Sequence, residues 1–155
     1  MIRDFEKKIL QKIDFANVYL KEEQKFIKDG SDTPTFKKAD ILRVFRELGY
    51  SSEYIPGGMY KIRRKSGMMV FELLFDIKKN IPLIYLNIYN DNDLLDTGLG
   101  HFSYMLNFLP FDKTLINESF GLNSLIHLKD YIQRMISIFD DFVNAYLEEM
   151  GTSSI

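Results

Sequence analysis

Met68-Met69-Val70-Phe71-Glu72-Leu73-Leu74-Phe75-Asp76-Ile77 alternates with a period of two, so that Met69, Phe71, Leu73, Phe75 and Ile77 share one face without interruption. That pattern makes a strand with one side buried. Upstream, Pro56-Gly57-Gly58 punctuates the chain, residues 59–65 read as a shorter strand, and Ser66-Gly67 reads as the tight turn between the two. Downstream, Lys78-Lys79-Asn80 turns the chain and 82–90 return as a third strand with Ile84, Leu86 and Ile88 inward. Pro82 stands near its start, where a missing N–H does least harm. After the polar turn Asn90-Asp91-Asn92-Asp93, a fourth strand at about 101–108 would align Phe102, Tyr104, Leu106 and Phe108, although 99–109 also fits a helix.

Helical periodicity flanks this meander. Ile2, Phe5, Ile9, Ile13, Ala16 and Leu20 recur at three- and four-residue steps, predicting one helix over 2–28 that stops at Asp29-Gly30-Ser31-Asp32. Thr33-Pro34 reads as a cap and first-turn proline for a second helix over 35–48, closed by Gly49. Asn123 or Ser124 opens a long helix, 123–150, whose stripe runs from Leu125 to Leu147 before Gly151. The expected fold is α+β: an antiparallel meander of about four strands packed against the N-terminal helices and a long C-terminal helix, as one domain over 1–155.

The 155 residues are 46% hydrophobic and 27% charged, the balance of a globular chain able to bury its own core. With no cysteine, disulfides, thiolate metal sites and cysteine nucleophiles are excluded. The start, Met1-Ile2-Arg3-Asp4-Phe5-Glu6-Lys7-Lys8, lacks the apolar core of an export signal, and no later apolar run is long enough to span a bilayer. A cytoplasmic location and no membrane partner are expected. Charge is uneven, net +5 over 1–66 and −7 over 67–155, but the total of −2 lacks the positive excess of a nucleic-acid footprint. No nucleic-acid partner is expected.

Catalytic and metal chemistry finds little support. His101 and His127 have no helical metal-site spacing, and no Gly-x-Ser-x-Gly elbow occurs. In Asp91-Asn92-Asp93-Leu94-Leu95-Asp96, Leu95 takes a position where a calcium loop needs an oxygen ligand and Asp96 the place of its glycine. Gly98 and Gly100 follow an acidic turn with no Lys-Ser/Thr after them, so they make no phosphate cradle. No cofactor is expected. A metal-dependent nuclease reading would rest on Glu72 and Asp76-Ile77-Lys78 of one strand, without a separate acid on a preceding strand. A small-ligand or regulatory domain would need a pocket between sheet and helices, lined by Phe71, Phe75, Phe102 and Phe108.

Two surface features remain. Alternation splits the basic run, placing Lys61, Arg63 and Lys65 on one face and Arg64 with Tyr60 and Ile62, either as an anion contact or as a charged edge that resists pairing. The second sheet face carries Met68, Val70, Glu72, Leu74, Tyr85, Asn87 and Tyr89, a mixture enriched at protein–protein interfaces. The acids of the last helix, Asp130, Asp140, Asp141, Glu148 and Glu149, could serve a basic partner. The function expected is therefore non-enzymatic protein binding, in its sharpest form an immunity- or antitoxin-type protein occluding a partner's active site. Glu72, Tyr85 and Tyr89 on the sheet and Asp91 and Asp93 in the turn would contact that partner, which is expected to be basic.

Overall fold

The computed structural model describes residues 1–30 and 34–151. Three short helices, α1 (Asp4–Lys12), α2 (Phe15–Glu23) and α3 (Lys38–Glu47), precede strands β1 (Glu53–Ile55), β2 (Met59–Ser66), β3 (Met69–Asp76), β4 (Leu83–Asn90) and β5 (Asp93–Leu94). A four-residue helix, α4 (Phe102–Met105), and the long α5 (Leu125–Glu149) follow. All five strands are antiparallel neighbours in chain order, a pure meander. The fold is α+β, with the N-terminal helices and α5 against one sheet face. Tyr60, Ile62, Met69, Phe71, Leu73, Phe75, Ile84, Leu86 and Ile88 point into that layer and are buried. Each such side chain contributes about 1.5–3 kcal/mol by leaving water.

The helix expected over 2–28 is two helices. Asp14 takes a left-handed backbone (φ 52°), which Asp tolerates better than most residues, and its carboxylate accepts from Asn17 Nδ2 at 3.0 Å. The apolar stripe continues through the break, with Ile9, Leu10, Phe15, Ala16, Tyr19 and Leu20 all buried, so periodicity alone does not reveal it. Beyond α2, Ile27 bridges Phe120 and the Lys28 N–H donates to the Ser119 carbonyl at 2.7 Å. The second helix begins at Lys38, three residues later than expected, capped by Lys37 without a side-chain bond. Pro34 lies outside it, and Thr33 lies outside the described residues.

The fourth strand expected at 101–108 is instead a helical turn. His101 alone bridges β4, at Tyr85, and its Nδ1 then accepts from the Tyr104 N–H at 3.2 Å, capping α4. Phe102, Met105 and Leu109 are buried at steps of three and four, not two. The long helix matches its expected span closely, with Ser124 rather than Asn123 as its cap, Oγ accepting from the His127 N–H at 3.2 Å.

Glu23 ends α2 inside a polar cluster: Tyr19 Oη and Tyr131 Oη both donate to its Oε2, at 2.9 and 3.2 Å. Burial nevertheless raises its pKa, the two hydroxyls only partly offsetting it. A carboxyl raised in the folded state stabilises fully below its unfolded pKa of about 4.3, and that contribution is lost as pH rises through the folded value. Glu23→Gln keeps an acceptor for both hydroxyls without the charge. Its melting temperature is expected to exceed that of the parent at pH 7, with the gap closing as pH falls toward 4; a gap independent of pH would contradict this account.

Candidate functional site

On the other sheet face the side chains run from buried (Glu72, Leu74) through half-buried (Lys61, Tyr85, Tyr89) to exposed (Arg63, Leu83, Leu94), with Tyr104 of α4 beside Tyr85 at its edge. Strand register lays it out as rows. Glu53, Lys61, Leu74 and Tyr85 form one row; Arg63, Glu72 and Asn87 the next; Lys65, Val70, Tyr89 and Leu94 the third. Cations thus form a column along β2 and tyrosines a column along β4, with Glu72 between them.

Glu72 is 4% exposed. Arg63 Nε donates to its Oε2 at 2.8 Å, and Lys61 Nζ lies 3.4 Å from the same oxygen. Lys61 also lies 3.4 Å from Glu53 Oε2. The bond to Glu72 raises the Arg63 pKa, and burial followed by the Glu72 charge raises that of Tyr89. Glu72 is therefore the internal counter-ion of the β2 column rather than a carboxylate free to meet a partner. Arg63 remains half exposed, and Lys65 is exposed with no ion pair among the described residues.

Two of the shallow hollows around this network adjoin the tyrosines. One, about 250 Å³, is lined by Lys61, Arg63, Lys65, Glu72, Tyr89 and Asn92. The other, about 470 Å³, opens beside Tyr85, Asn87, Leu94 and Tyr104. Tyr85 leans edge-on against His101, ring centroids 5.7 Å apart. Leu83, Leu94 and Met68 stand 38%, 59% and 59% exposed around the tyrosines.

Asp91 and Asn92 turn the chain with left-handed backbones (φ 52° and 67°), the geometry of a two-residue hairpin turn. The Asp91 N–H donates to the Met68 carbonyl at 3.0 Å, holding this turn against the β2–β3 hairpin. Asp91 is exposed there, while Asp93, paired with Asn90, falls by alternation on the opposite side from Tyr89 and Leu94. Of the five residues expected to meet a partner, Glu72, Tyr89 and the Asp91 turn come together, Tyr85 stands at the adjoining hollow, and Asp93 points away.

The acids of the last helix are largely engaged within the chain. Asp140 pairs with Arg64 at 2.8 Å, Asp130 with Arg134 at 2.9 Å, Glu148 with Lys12 at 3.3 Å, and Glu149 with Lys8. Arg64 turns to the helices and the rest of the basic run to the open face, as alternation requires. No three His, Asp or Glu side chains gather as a metal site among the described residues. Phe71, Phe75 and Phe102 are sealed in the core, and Phe108 is partly buried at its edge. No family model, curated protein or solved structure matches the chain.

Proposed function

We propose that this chain is a protein-binding domain that acts by occlusion, laying its second sheet face over a partner; its sharpest form is an immunity- or antitoxin-type protein covering a toxin's active site. The carrying observation is the Tyr85–Tyr89 column, half-buried on β4 and ringed by exposed Leu83, Leu94 and Met68. Tyrosines so placed supply large contact area at small entropic cost, the makeup of an interface hot spot. The Lys61–Arg63–Glu72 network holds the neighbouring strands' side chains in place before binding, which lowers the ordering cost.

The charges on this surface have two signs. Exposed Asp91 suits a basic group of a partner, whereas Arg63 and Lys65 suit acidic ones. Tyr85→Ala/Tyr89→Ala removes two anchors of about 2 kcal/mol each, so partner affinity should fall by roughly 10²–10³-fold. Thermal unfolding should move little, because neither ring is in the core. The check is affinity capture with neighbouring gene products co-expressed, comparing parent and double variant; equal capture by a folded double variant would remove this face as the site.

A further inference from the structure

We propose that the outer edge of β2 takes an added strand, an extended acidic segment of the partner protein. β1 faces only Met59–Lys61, and the remaining five residues of β2, Ile62–Ser66, have no strand beside them among the described residues. At about 3.4 Å per residue this edge runs some 17 Å, enough to template a short strand. A hollow of about 310 Å³ lies alongside, lined by Ser51, Ser52, Glu53, Lys61, Arg63 and Lys65.

The chain's own β1 supplies the pattern of recognition. Glu53 stands directly across from Lys61, with its carboxylate 3.4 Å from the ammonium. A strand continuing β1's line would place alternate side chains across from Arg63 and Lys65, where carboxylates would repeat that pairing. The same cations refuse a second copy of this chain. Antiparallel pairing centred on Arg64 would set Arg63 of each copy against Lys65 of the other, like charge on like. The edge therefore discriminates by charge: closed to itself, open to an acidic strand.

This inference rests on the protein-binding reading but on neither tyrosine, which separates their tests. The probe is a fluorescein-labelled peptide of about eight residues alternating Glu and Val, compared with its Lys–Val counterpart and with a Glu–Val peptide N-methylated at alternate amides. The Glu–Val peptide is expected to bind at least about tenfold more tightly than either control, with amide shift changes centred on Ile62–Ser66. Lys65→Glu, at an exposed position that leaves folding intact, should weaken it by about tenfold, while Tyr85→Ala/Tyr89→Ala leaves it unchanged. Absence of binding, equal binding of the N-methylated peptide, shift changes centred elsewhere, or tighter binding of an oligothymidylate would each overturn the proposal. If the natural partner is lost with the tyrosine variant but kept by Lys65→Glu, the edge fails alone. If both variants keep the partner, the face fails with it.

Discussion

Glu6→Ala should cost about 1–3 kcal/mol, the penalty for leaving a buried hydroxyl without its partner, since the Arg3 guanidinium it frees is 44% exposed and regains water. Glu6 is fully buried on α1, yet its carboxylate is fully used: Arg3 grips it through Nε at 2.6 Å and Nη2 at 2.7 Å, and Tyr146 Oη donates to it at 2.9 Å. Truncation leaves the buried Tyr146 hydroxyl without its acceptor and opens space beside a ring that packs on Phe5, Phe71 and Phe142. Glu6→Gln keeps an acceptor and should cost clearly less. Urea unfolding of both variants checks this; equal costs would show that volume, not the polar contact, matters. Burial, and then the Glu6 charge, pushes the Tyr146 pKa well up. The sign follows: its contribution is whole below the unfolded tyrosine pKa of about 10 and is lost as pH climbs through the higher folded value.

Gly98→Ala should cost about 3 kcal/mol, from two sources of comparable size. Gly98 has φ 72°, where an alanine is strained by about 1–3 kcal/mol. Its new Cβ would also overlap the Met1 carbonyl and approach Ile2 Cα at 2.9 Å. The main chain there is pinned, the Arg3 N–H donating to the Thr97 carbonyl at 2.9 Å with Ile2 buried beside it, so yielding means lifting the N-terminal segment. Gly49→Ala is the comparison, since Gly49 has φ 84° but open space around it. It should show the strain alone. Thermal melts in which the two variants lose the same stability would refute the collision.

The meander, the long helix and the division of the basic run were legible because each rests on periodicity sustained over many residues. β1 and β5, three and two residues long, are too short to show any period. The break at Asp14 is silent because the apolar stripe passes through it. In 101–108 the aromatics satisfy both periods at once, and the choice falls to the His101 cap, a local bond that hydrophobic pattern does not encode. For the site, parity placed Tyr85 and Tyr89 on the open face, but the fate of Glu72 depended on register. A turn at Ser66-Gly67 would set Glu72 opposite Lys61; the actual turn at Gly67-Met68 sets it opposite Arg63. One residue at a hairpin tip thus decides which cation stands directly across from the carboxylate, while leaving every side chain on its expected face.

The kink at Asp14 gives the first thirty residues a two-point mounting. Glu6 fastens α1 near one end of α5, through Tyr146, and Glu23 fastens α2 toward the other, through Tyr131. Fifteen positions of α5 separate these bolts, which fixes how far apart the two short helices must stand along it. Slippage by a single helical turn would strand both carboxylates in apolar surroundings. The elbow therefore behaves as a ruler: its length, more than its composition, is what an insertion or deletion between Ile13 and Phe15 would violate.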